Sequence, residues 1–140
     1  MQYYSIEPEV AGGFGENTVI SRPNGKMLVE KLYYEFQGWL GDPLLESVPC
    51  YIVTSDLASR IMGNKLTGCV IDSVEVSESD EFRLIQPNTQ LPEFVWLKIN
   101  GIVRSDDFAL SEKLELVVSE RALDLLQKSG MTHAEIALYS

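Results

Sequence analysis

Histidine is nearly missing from this chain and cysteine is scarce: His133 stands alone, and Cys50 and Cys69 lie far apart with no CxxC spacing. Structural zinc needs about four Cys or His ligands and a zinc hydrolase about three plus a base, so neither is expected. The one thiol arrangement the composition permits is a Cys50–His133 dyad. Cys50 is followed by Tyr51, Ile52 and Val53, however, which predicts a small apolar strand residue rather than a nucleophile. Two separated cysteines also give no disulfide framework. Bases are in short supply too, at 11 Lys and Arg against 21 Asp and Glu, for a net charge of −10. Such a chain repels phosphate backbones and anionic membrane surfaces, so neither nucleic acid nor membrane is an expected partner. No apolar run approaches the roughly 20 residues that cross a bilayer. The opening Met1-Gln2-Tyr3-Tyr4-Ser5-Ile6-Glu7 lacks the basic flank and apolar stretch of a secretory signal, and the expected location is the cytoplasm.

What remains is ordinary globular material. The 140 residues are 45% hydrophobic and 23% charged, enough for one domain over residues 1–140 that buries roughly 70% of its extended surface. Gln2 to Ile6 alternates as a short strand. A glycine-rich stretch, Pro8 to Asn17, follows. Its Gly12-Gly13-Phe14-Gly15 fits neither GxGxxG nor GxxxxGK and is flanked by glutamates, so it reads as a loop using positive φ angles rather than a phosphate cradle. Met27 to Phe36 reads as one long strand after the Pro23-Asn24-Gly25 turn. Trp39, between Gly38 and Gly41, reads as a plug at the edge of the core.

Tyr51 to Val53 predicts a strand, followed by a helix over Ser55 to Met62 that Thr54 or Ser55 caps and Gly63 stops. Leu57, Ala58, Ile61 and Met62 make its buried stripe. Cys69 to Val76 reads as a strand, and Ser77 as the cap of a short helical turn over Glu78 to Ile85. Phe94 to Ile99 is apolar on both faces, the mark of a covered central strand. The last third predicts strand Leu114 to Val118, helix Glu120 to Lys128 capped by Ser119, and strand Ala134 to Tyr139. This unit aligns without a gap to the earlier one at an offset of 65 residues, placing Val53 on Val118, Thr54 on Ser119, Ile61 on Leu126, Thr67 on Thr132 and Ile71 on Ile136. The expected fold is α+β, with one mixed or antiparallel sheet and two main helices in two similar strand–helix–strand units.

Acids are the abundant reactive groups. Glu75, Glu78, Asp80 and Glu81 form one cluster and Asp106 and Asp107 a second. Their spacing matches no EF-hand. Acids also suit a first helical turn or a loop, so solvated surface is the plain reading and a patch for a basic partner the functional one.

Several segments resemble a bacterial polymorphic-toxin immunity protein family first noted in myxobacteria. They are Tyr4 to Thr18, Tyr34-Glu35-Phe36-Gln37-Gly38-Trp39-Leu40-Gly41-Asp42, Pro49 to Thr54, Leu91 to Lys98, Asp106-Asp107-Phe108 and Val117 to Leu123. The resemblance implies a non-enzymatic protein that binds and neutralises a cognate toxin domain, with basic HNH-type nucleases among the toxins concerned. It implies no catalytic residue, metal or cofactor. The interface is expected at Glu75, Glu78, Asp80, Glu81, Asp106 and Asp107, with Trp39 and Asp42 as outlying contacts, because aromatic anchors and orienting charge dominate binding. Apolar strand edges could also pair two copies as a homo-oligomer. The rival expectations are an acidic regulatory subunit unrelated to toxins and a carboxylate-based hydrolase, the latter requiring two acids converging in a cleft.

Overall fold

Three hydroxyls start three helices. In the computed structural model, which describes residues 2–140, Thr54, Ser79 and Ser119 accept from the amides of Leu57, Phe82 and Ala122 at 3.1, 3.0 and 3.2 Å. The helices α1 (Ser55–Gly63), α2 (Asp80–Ile85) and α3 (Glu120–Lys128) follow directly. The two longer ones end alike. Lys65 and Gly130 take left-handed φ angles of 55° and 106°, and the next amides, of Leu66 and Met131, return to the carbonyls of Ile61 and Leu126. Each turn thereby satisfies a carbonyl that the helix end leaves free.

Among the described residues thirteen strands accompany these helices: β1 (Tyr3–Glu7), β2 (Gly12–Phe14), β3 (Val19–Ser21), β4 (Leu28–Lys31), β5 (Tyr33–Phe36), β6 (Leu44–Ser47), β7 (Cys50–Thr54), β8 (Cys69–Asp72), β9 (Glu75–Glu78), β10 (Phe94–Ile99), β11 (Phe108–Leu110), β12 (Leu116–Ser119) and β13 (Glu135–Tyr139). They form four sheets rather than the single sheet expected. Two are four-stranded and antiparallel, in the orders β6-β7-β10-β8 and β11-β12-β1-β13. A third, β2-β5-β9, is mixed, and β3 and β4 make a ribbon. The fold is α+β in one domain.

The two four-stranded sheets are copies of one plan. Strand, helix and far edge strand recur at the 65-residue offset, as the sequence suggests, and the structure adds a hairpin partner to the first strand of each unit. The central strand completes the match by a different route: Trp96 of β10 lies between Ile52 and Asp72, while Ser5 of β1 lies between Val117 and Ala137. Likewise Leu97 lies between Tyr51 and Ile71, and Ile6 between Leu116 and Ile136. All four outer partners are 65 residues apart, so the registers coincide. The central strand follows its helix in one half and precedes everything else in the other.

Packing explains the pattern. Leu57, Ala58 and Ile61 of α1, and Ala122, Leu123 and Leu126 of α3, meet Tyr51, Val53, Leu97, Ile6, Leu116 and Val118 in one shared core. Phe94 and Trp96, on the opposite face of β10, join a second core with Phe36, Tyr34, Ile52 and Phe82, beneath the β2-β5-β9 layer. Both faces of Phe94–Ile99 are covered, as its composition predicts. Met62, assigned to the buried stripe of α1, is 42% exposed.

Three local expectations change. The stretch Met27 to Phe36 breaks at Leu32, which is buried and whose carbonyl accepts from Glu75, so β4 and β5 go to different sheets. Cys69 to Val76 likewise divides, where Asp72 accepts from the amide of Ser73 at 2.7 Å. Ser77 therefore sits in β9 beside Glu35, and the cap of α2 is Ser79. The glycine-rich stretch holds a strand, and its glycines do not have positive φ. Gly12 is needed for closeness instead, since a Cβ there would collide with the backbone carbonyl of Glu35.

Candidate functional site

The acids singled out in the sequence have different fates. Glu75 pairs with Lys31 at 3.3 Å and accepts from Asn17 at 3.1 Å, and those two partners hold its carboxyl below the usual range. Glu78 is half-buried at the end of β9, whereas Asp80 and Glu81 are exposed in the first turn of α2. Asp106 closes a loop by accepting from Ile102 at 2.7 Å. Asp42 and Asp107, expected at an exposed interface, are only 1% and 6% accessible. Trp39 is the expected plug: half-buried, edge-on to Phe94 at 6.0 Å, with its indole N–H donating to the Asp42 carbonyl at 2.9 Å.

The two buried aspartates are tolerated because donors surround them. Asp107 accepts from the amide and hydroxyl of Thr67 at 2.8 and 3.3 Å and from the Ser119 hydroxyl at 2.6 Å. Arg121 adds a fork, Nε at 2.9 Å and Nη2 at 2.7 Å. Burial alone would raise this carboxyl, but the Arg121, Ser119 and Thr67 bonds outweigh it and hold it down at about 2. Asp42 accepts from the amide and hydroxyl of Thr132 at 3.1 and 3.2 Å and from the amide of His133 at 2.8 Å. The His133 ring lies with Nδ1 2.9 Å from Asp42. Burial is again overcome, here first by His133 and then by Thr132, and Asp42 sits below its ordinary value. Asp42 and Asp107 are 65 residues apart, as are Thr67 and Thr132. Each aspartate grips the threonine that follows the other half's helix.

His133 is thus engaged by Asp42, while Cys50 belongs to the second core, where burial pushes its thiol up to about 12. A thiol so placed stays protonated at neutral pH and is no nucleophile.

The acids that do converge are ones the local pattern passes over. Glu7, Glu46, Glu115 and Glu135 line one cavity of about 380 Å³ where the β6–β7 hairpin meets β1, β13 and the start of β12. Glu7 stands directly opposite Glu135 on the neighbouring strand. Such a like-charge pair opposes sheet formation. Burial raises the carboxyl of Glu46, a bond from the Tyr51 hydroxyl opposes this, and the charge of Glu7 raises it further. Among the described residues none of the four glutamates is in a salt bridge. Lys113 is the one base on the wall, and Val48, Leu114 and Ile136 give it an apolar lining, at 50%, 48% and 40% exposure. Leu114 holds a φ of 62°, uncommon for leucine. Chemically the cavity suits a long cationic side chain, whose methylenes would meet the aliphatic wall while its charged head meets the carboxylates.

No helix among the described residues is long and apolar enough to cross a membrane. No family model and no curated protein matches the sequence.

Proposed function

We propose that the protein is a non-enzymatic immunity protein that neutralises a cognate, basic toxin domain in the cytoplasm by binding it. The observation that carries this reading is the cavity of Glu7, Glu46, Glu115 and Glu135, whose carboxylates have no salt-bridge partners among the described residues and which is walled by exposed aliphatic side chains. A lysine or arginine from the partner relieves the Glu7–Glu135 opposition, and the net charge of −10 speeds and orients the encounter. The surface of exposed Glu75, Asp80 and Glu81 with half-buried Glu78 offers a second contact for the rim of the interface, where charge affects on-rate more than affinity. A nuclease active site, basic because it holds phosphate, has the matching chemistry.

Co-expression with the toxin-like product of an adjacent reading frame, followed by size-exclusion chromatography at low and high salt, tests the reading. A complex that weakens with salt, and that Glu7→Lys with Glu135→Lys abolishes while the protein stays folded, supports it. Separate elution at both salt levels, with toxicity persisting, overturns it. A second reading, carboxylate-based hydrolysis, draws on Glu46, whose carboxyl is raised by burial and which shares the cavity with Glu7. Under that reading Glu46→Gln abolishes turnover of a substrate without affecting toxin binding.

A further inference from the structure

The two aspartate clamps share their architecture but not their charge balance. At Asp107 the Arg121 guanidinium answers the carboxylate at 2.7 and 2.9 Å. At Asp42 no lysine or arginine among the described residues is paired with the carboxylate, and a second buried acid, Glu9, joins it. Glu9 is 7% accessible and accepts from the amides of Leu40 at 2.7 Å and Asp42 at 3.2 Å. One ligand atom from each of Glu9, Asp42 and His133 lies within 4.8 Å of the other two. This group sets two carboxyl groups beside an imidazole where the twin clamp sets one carboxyl beside a guanidinium.

We infer that Glu9, Asp42 and His133 form a binding site for a divalent transition-metal ion of the Zn²⁺ or Mn²⁺ type. One imidazole and two carboxylates form a mixed nitrogen and oxygen set that suits these borderline cations. Bonds of about 2.1 Å to a tetrahedral ion put ligand atoms about 3.4 Å apart, so the side chains close by up to about 1.4 Å on binding. The existing bonds then become the outer shell: the Leu40 and Asp42 amides orient Glu9, and Thr132 orients Asp42. The His133 side chain is 42% exposed, which gives the ion a path from solvent and leaves room for water ligands. This site is separate from the glutamate cavity and does not depend on the toxin reading.

The test is calorimetric titration of chelator-stripped protein with ZnCl₂, MnCl₂ and MgCl₂, read alongside thermal unfolding. Zn²⁺ or Mn²⁺ is expected to bind one to one and to raise Tm. His133→Asn, at an exposed side chain that leaves both cores untouched, and Glu9→Gln are each expected to weaken binding at least tenfold. No saturable binding to the wild type overturns the inference. So does binding that both variants leave unchanged, because the ion then sits on surface carboxylates or a cysteine. A stronger response to Mg²⁺ than to Zn²⁺ and Mn²⁺ overturns it as well.

Discussion

Replacing Asp107 with asparagine keeps the size of the side chain and removes its charge. The carboxyl drops from 3.8 to about 2 on folding, and a fall of that size stands for about 2.5 kcal/mol of stability at neutral pH. Because the Arg121 side chain is 58% exposed, solvent screens its share, and about 2 kcal/mol is the working figure. The folded value lies below the unfolded one, so this stability is complete above about pH 5. It is lost as the pH falls through 3.8 towards 2, with about half remaining at pH 3. Asp107→Asn is therefore expected to lower the unfolding free energy by about 2 kcal/mol at pH 7 and by about 1 kcal/mol at pH 3. Urea titrations of wild type and variant at both pH values measure the two gaps, with equal slopes showing that only stability has changed. A gap below about 0.5 kcal/mol at pH 7, within the range of ordinary surface substitutions, refutes the argument. A gap that does not shrink by pH 3 places the cost in shape rather than charge, and refutes it too.

Two further outcomes follow from neighbouring features. Gly12→Ala drives a methyl group into the Glu35 carbonyl and should cost about 1–3 kcal/mol, whereas Gly13→Ala, with open space at that point, should stay within about 0.5 kcal/mol in the same urea assay. Glu135→Gln removes the charge facing Glu7 and should stabilise the free protein by about 0.2–1 kcal/mol while weakening toxin binding. A loss of stability instead would show that the opposed pair is not a strain.

Local signals are legible in this sequence wherever one short segment carries all of them. The helices starting after Thr54 and Ser119 each combine a capping hydroxyl with an apolar stripe, and Gly130 marks the left-handed stop of the second, whereas the first runs through Gly63, expected to stop it, and turns left-handed at Lys65. Phe94–Ile99 announces itself by being apolar on both faces. The strands at Gly12–Phe14, Val19–Ser21, Leu44–Ser47 and Phe108–Leu110 span three or four residues, too few for a period, and exist because remote partners complete them. The 65-residue offset is visible for strand, helix and strand, but not for the central strands. Tyr3–Glu7 and Phe94–Ile99 share no sequence likeness and enter their sheets from opposite ends of the order.

The acids illustrate the same limit. Asp42 and Asp107 look like surface residues, because an acid ordinarily is one. Their burial depends on Thr132 and His133, and on Thr67 and Arg121, all distant along the chain. Conversely, Glu7, Glu46, Glu115 and Glu135 lie far from one another in sequence, and only the pairing of strands makes them one group.

The crossed grips of Asp42 on Thr132 and of Asp107 on Thr67 have a consequence for cooperativity. Neither half can open its own post-helix turn without withdrawing a buried carboxylate, or the donors it relies on, from the other. Partial unfolding of one half leaves an unsatisfied buried charge in its sibling, so no half-open species is stable. Amide hydrogen exchange should then find Ile61 and Leu126 opening together, at the global unfolding free energy, and a lesion at either clamp should loosen both helices equally. A doubled architecture of this kind behaves as a single cooperative unit because each half keeps part of its latch in the other.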